Sequence, residues 1–136
     1  MEKTKQTRAI PVPTRTTEEF WEGIRAGKLL LQYDPDEMAW QFYPRAGSLM
    51  TGKRNLEWRE ATGRGTVYSY TETYVPIAGF EDRVPYFIAM VDLEEGVRIL
   101  ANLINVEAKE VTVGMPVKVA FEEITKDANY FCFEPA

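Results

Sequence analysis

Hydrophobic positions along this chain fall into a polar lead, one helical stripe and a series of short alternating runs. Residues 1–15 are polar and basic, and Pro11 and Pro13 favour an extended backbone, which predicts a flexible or docking N-terminal arm. Thr16-Thr17-Glu18-Glu19 fits a capping box, with Thr16 as N-cap and Glu19 as its partner. Phe20, Trp21, Ile24 and Arg25 follow at helical spacing, and Gly27 suits the residue just past a helix end. The spacing therefore predicts a short amphipathic helix over 17–26 with an aromatic face.

Leu29 to Gln32 reads as a buried strand, Asp34-Pro35-Asp36 as a turn, and Trp40 to Tyr43 as a short returning strand. Pro44 to Arg54 contains two glycines and no period, so it reads as a loop. From Leu56 onward the pattern is that of strands. Thr66 to Tyr74 has high β-propensity, and Gly63 and Gly65 mark a bulge or a close backbone approach ahead of it. Pro76 to Val84 is a loop. Tyr86 to Leu93 and Val97 to Ile104 pair as a hairpin around Glu94-Glu95-Gly96. Val117 to Ile124 alternates after Gly114-Met115-Pro116, and Tyr130 to Phe133 is a last short strand. About five antiparallel strands without a second helix predict a small closed barrel or a sandwich. An OB-type barrel fits the count, and so does another small β-barrel.

Composition narrows the chemistry more than the fold. The 136 residues include no histidine and one cysteine, with 16 Lys+Arg against 21 Asp+Glu and a net charge of −5. That length matches one domain, at roughly 100–200 residues each. Without histidine there is no Ser-His-Asp or Cys-His nucleophile and no imidazole metal ligand. A lone Cys132 excludes an intrachain disulfide and a multi-thiolate zinc or iron–sulfur site. No apolar run reaches the ~20 residues of a membrane span, and Met1-Glu-Lys-Thr-Lys-Gln carries no apolar signal core. The expectation is a cytoplasmic protein without membrane contact, and the acidic balance argues against general nucleic-acid binding. Charge is uneven, however. Arg45, Lys53, Arg54, Arg59 and Arg64 stand against Glu57 and Glu60 only, whereas residues 92–136 carry nine acids against four bases.

Several strings together resemble the zinc-ribbon/OB-fold family of acyl-CoA-associated proteins. These are small subunits found beside thiolases, thiolase-like acyltransferases and aldolases, and hydroxymethylglutaryl-CoA synthase. The strings are Phe20-Trp21-Glu22-Gly23, Gly27 to Gln32, Phe42-Tyr43-Pro44-Arg45, Gly63 to Thr71, Pro85-Tyr86, Glu95 to Arg98 and Gly114 to Val117. The resemblance implies a mainly β chain: arm 1–15, helix plus rubredoxin-like ribbon 16–58, and five-stranded OB barrel 59–136. The family's two Cys-x-x-Cys knuckles fall on Asp34 and Glu37, and on Ser48 and Thr51, so all four thiolates are lost. The expected ribbon is a metal-free hairpin, because carboxylates and hydroxyls are poor tetrahedral zinc donors.

The resemblance further implies a non-catalytic accessory subunit in a hetero-oligomer with a thiolase-like protein. It would hold no cofactor of its own, with coenzyme A or acyl-CoA bound at the partner interface. Candidate phosphate ligands are Arg45, Lys53, Arg54, Arg64 and Arg83, since a guanidinium grips phosphate with two donors. Phe20, Trp21 and Phe80 are candidate partner or channel contacts. Two other functions fit the residues: an independent OB module, stacking single-stranded nucleic acid on Tyr68, Tyr70, Tyr74 and Tyr86, and a stand-alone acyl-CoA binder or thioesterase. Cys132 sits in an apolar run with no base nearby, which predicts a packed, unreactive thiol.

Overall fold

The structure, a computed structural model, describes residues 8–136, so residues 1–7 of the expected arm lie outside the described residues. Helix α1 (Glu18–Arg25) follows the arm, and a three-stranded antiparallel sheet then places β1 (Leu30–Asp34) between β2 (Ala39–Gln41) and β3 (Glu57–Glu60). The remaining strands are β4 (Arg64–Thr73), β5 (Tyr86–Leu93), β6 (Arg98–Leu103), β7 (Pro116–Thr125) and β8 (Ala128–Pro135). They close a barrel in the order β4-β5-β6-β8-β7, with β6 and β8 parallel and the other pairs antiparallel. This is the expected five-stranded OB barrel. Among the described residues no helix is long and apolar enough to cross a membrane.

Alternation builds the barrel. Along β5 every second side chain is buried, from Phe87 through Ala89 and Val91 to Leu93. These meet Ile99, Leu103, Val117 and Phe133 in one core, and each large side chain buried there contributes roughly 1.5–3 kcal/mol. The same core takes in Phe20 and Ile24 of α1 and Leu29 and Leu31 at the start of the small sheet. The helix thus fastens the ribbon to the barrel, with the Phe20 ring edge-on to Phe131 of β8 at 5.6 Å.

Three local expectations need correction. The helix begins at Glu18 after Thr17, and no side-chain cap forms. The Thr17 hydroxyl instead accepts from the Thr14 N–H at 2.9 Å, which spends it on the preceding turn. The helix end does follow the expected glycine: Gly27 has φ +76°, and Lys28 N–H reaches back to Gly23 O at 2.8 Å. The β4 bulge lies between Val67 and Ser69, not at the two glycines. Gly65 instead marks a close approach, because a Cβ there would stand 2.4 Å from Asp92 O. Finally, β3 pairs with β1 and so belongs to the ribbon, and the barrel starts at Arg64.

Candidate functional site

Asp34, Glu37, Ser48 and Thr51, where the resemblance places metal knuckles, are organised in two unequal halves. Asp34, at the end of β1, is 1% exposed, and Ser48 in the following loop is buried beside it. The Ser48 hydroxyl donates to Asp34 Oδ2 at 2.5 Å. Asp36 and Glu37 N–H donate to Asp34 Oδ1 at 3.0 and 3.2 Å. Met50 and Thr51 N–H donate to Ser48 Oγ at 3.1 and 3.3 Å. Glu37 and Thr51 therefore contribute backbone donors to the two turns. The Ser48 hydroxyl is the main cause that holds the Asp34 carboxyl below its ordinary value; burial opposes it, and the N–H groups of Glu37 and Asp36 and the Asn55 amide add to it. This donor set does not fit a tetrahedral metal. The carboxylate and hydroxyl that would have to bind it are already bonded to each other, and no thiolate or imidazole stands near.

Two buried glutamines extend this network. Gln32 and Gln41 are directly opposite each other on β1 and β2. The Gln32 amide accepts from Arg45 N–H at 2.8 Å and donates to Arg45 O at 2.7 Å. Gln41 donates to Gln32 Oε1 at 3.0 Å and to Gly47 O at 3.2 Å, and accepts from Leu49 N–H at 2.9 Å. Residues 45–49 are thus fixed in place by side chains of the sheet. A glutamine after three leucines was the signal in the sequence, since a buried polar side chain needs a partner.

The five candidate phosphate ligands separate. Arg45 and Arg54 line one cavity of about 270 Å³, joined by Arg15, which sequence reasoning missed. Lys53 is exposed next to Arg54 and is not part of that lining. Arg64 is committed elsewhere. Its guanidinium bonds Glu94 at 3.0 and 3.2 Å, and that hydrogen bond with the Glu94 charge raises its pKa. Arg83 pairs with Glu122 at 2.9 Å, and Arg59 pairs with Glu57 at 2.7 Å while lying over the Tyr33 ring.

The aromatic candidates also separate. Phe20 is 0% exposed, packed by Trp21, Phe42 and Phe131, so it is core and not a partner contact. Trp21 is half-buried and lines a cavity of about 560 Å³ between residues 10–15 and the end of β7. Phe80 stands over Tyr86 at 5.0 Å and lines an apolar cavity of about 360 Å³ with Ile77, Ile88 and Leu100. A clasp closes its rim. Glu122 binds both Arg8 and Arg83 at 2.9 Å, and Arg8 lies over the rings of Phe80 and Tyr130 at 4.9 and 4.5 Å. Burial raises the Glu122 pKa, but the hydrogen bonds and charges of Arg83 and Arg8 outweigh it and hold the carboxyl below its ordinary value.

Tyr68, Tyr70 and Tyr74 are exposed along β4 and the residue after it. The cations near them are occupied: Arg98 lies over Tyr68 and bonds Asp92 at 2.6 Å. Cys132 is buried, and burial together with Glu122 pushes its pKa up to about 12, so at neutral pH it is a thiol and no nucleophile.

Residues 58–122 match the family described as ChsH2, C-terminal OB-fold domain. The 3-oxo-4,17-pregnadiene-20-carboxyl-CoA hydratase alpha subunit of Mycobacterium tuberculosis is 32% identical over 135 residues, 92% of this chain and 39% of that protein. The chain thus spans well under half the length of that relative. A DUF35 domain-containing scaffold protein of Methanocaldococcus jannaschii is 29% identical over 111 residues, 80% of this chain and 79% of that protein. Among solved structures, a chain of the Ltp2-ChsH2(DUF35) aldolase superposes with a TM-score of 0.83 at 26% identity, covering 92% of this chain and 98% of that one.

Proposed function

This chain belongs to the DUF35/ChsH2 family of OB-fold proteins, and from that premise we propose that it is a non-catalytic accessory subunit of a thiolase-superfamily enzyme. In this reading it stabilises the complex and helps to position acyl-CoA. The observation that carries the proposal is the likeness to a chain of the Ltp2-ChsH2(DUF35) aldolase, at a TM-score of 0.83 over nearly all of both chains. The name of that enzyme joins a ChsH2(DUF35) component to a second one, Ltp2, in one aldolase. Names among the other relatives agree in kind, as scaffold proteins and as the alpha subunit of a CoA-ester hydratase.

The residues support the same division of labour. The single thiol is buried and protonated, and a chain without histidine has no imidazole for general acid–base catalysis. What the surface does offer is apolar area: Met38, Leu49 and Met50 in the ribbon, and Tyr68, Tyr70, Ile77 and Leu100 on the barrel, are all exposed. Large exposed apolar side chains in groups mark protein or ligand contacts. An independent single-strand binder would need free cations beside the tyrosines, and Arg98, which lies over Tyr68, is paired with Asp92.

Co-expression with a thiolase-like protein from the same source tests the proposal. We expect the two to elute together, and the thiolase-like protein to lose solubility or most of its activity alone. A thiolase-like protein that is soluble and fully active without this chain, and does not elute with it, would overturn the reading.

A further inference from the structure

Most arginines of this chain face a carboxylate. Arg8, Arg59, Arg64, Arg83 and Arg98 pair at 2.6–3.0 Å, and Arg25 at 3.9 Å. Arg15, Arg45 and Arg54 have no acidic partner among the described residues, yet these three line the same cavity of about 270 Å³. Among the described residues no carboxylate lines it, in a chain with 21 acids. Like charges gathered without a counter-charge repel one another, and an anion that enters relieves that repulsion.

The site is also built. The Arg45 backbone is fixed at both N–H and C=O by buried Gln32, at 2.8 and 2.7 Å, so one guanidinium is carried on a rigid support. Leu56 and Trp58 supply the apolar wall. An indole beside guanidinium groups suits a planar ring joined to phosphate, because the ring stacks while the planar forks take phosphate oxygens in pairs.

We infer that this cavity binds the phosphate end of a phosphorylated nucleotide, held by Arg15, Arg45 and Arg54 with its ring against Trp58. The volume lies below the ~300–1,000 Å³ that hold a drug-sized ligand, so it receives the head of such a molecule and leaves the remainder outside. The inference rests on the acyl-CoA part of the proposed function for the identity of that nucleotide. An acidic protein segment is the competing occupant, but it requires neither the concavity nor the aromatic wall.

The test is a titration of the full chain with adenosine 3′-phosphate 5′-diphosphate, the head group of coenzyme A, followed by calorimetry and tryptophan fluorescence. Saturable binding is expected, with orthophosphate competing and Trp58→Phe removing the fluorescence change. Each of Arg15→Ala, Arg45→Ala and Arg54→Ala should weaken binding about tenfold or more, as loss of a charge-assisted contact does. Arg64→Ala should leave it unchanged. The three substituted side chains are exposed, and circular dichroism checks that the variants fold. No saturable binding at millimolar nucleotide, equal affinity in all variants, or binding of hexaglutamate in place of nucleotide would overturn the site. Co-elution of Arg45→Ala with the thiolase-like partner separates the two readings. Assembly without nucleotide binding sinks only this site, whereas failure of the unmodified chain to assemble sinks the proposed function.

Discussion

In the barrel, β5 alternates buried and half-buried side chains along its whole length, and its inner row ends in a shared apolar core. Where the small sheet meets the loop that follows β2, the buried groups are of another kind: the Asp34 carboxylate and Gln32 amide of β1, the Gln41 amide of β2 and the Ser48 hydroxyl of the loop. Apolar side chains there, Leu49 and Met50, point outward. One region is held by non-directional burial, which tolerates small shifts. The other depends on paired donors and acceptors, where each lost partner leaves a buried group unsatisfied. The small sheet and its turns therefore keep their shape only while these side chains satisfy one another.

That contrast can be broken most severely from the barrel side. Phe133→Ala removes a side chain that is 0% exposed and should destabilise the whole chain by about 3–5 kcal/mol, read by chemical denaturation. Labelling of Cys132 by a thiol reagent should then accelerate, because its pKa of about 12 and its burial protect it only while the barrel is closed. Asp34→Ala should act locally. Amide exchange at Glu37, Met50 and Thr51 should rise sharply, the thermal midpoint should fall by roughly 3–6 °C, and Cys132 labelling should stay near the unmodified rate.

Acid should produce the same local opening. The folded pKa of Asp34 is held below its ordinary 3.8, so its contribution is fully present above 3.8 and fades as pH falls through the lower folded value. Asp34→Asn should flatten that dependence. A gain-of-metal variant sharpens the comparison from the other side. Asp34→Cys, Glu37→Cys, Ser48→Cys and Thr51→Cys together should bind one Zn²⁺ through four thiolates and raise the thermal midpoint only when zinc is present. Failure to bind zinc would mean that the two turns are not knuckles. The smallest effect is expected for Arg64→Ala, whose exposed pair with Glu94 should leave the thermal midpoint unchanged within error.

The barrel was legible because its signals are local. Val117 to Ile124, Tyr86 to Leu93 and the Glu94-Glu95-Gly96 turn declare their strands through period and turn chemistry alone. The small sheet was legible in outline, since Asp34-Pro35-Asp36 and the aperiodic, glycine-containing run from Pro44 to Arg54 mark its connections, but its cohesion was not. That Ser48 would reach Asp34, fourteen residues away, or that Gln32 would hold Arg45, follows from the register of β1 with β2 and from no spacing in the sequence. The candidate cation set divides for the same reason. Arg64 and Arg83 find Glu94 and Glu122, while Arg15 reaches Arg45 and Arg54 from the segment just before α1. Phe20 misled because an aromatic helix face reads alike whether it meets its own barrel or another subunit.

The central claim, that this chain serves a thiolase-like enzyme as its accessory subunit, is tested most directly by one assay. The activity of the thiolase-like protein from the same source is measured alone and with this chain added back, with co-elution followed in parallel. The account predicts a stable mixed complex and activity that depends on the chain. A thiolase-like protein that works at full rate alone and never elutes with the chain would contradict it.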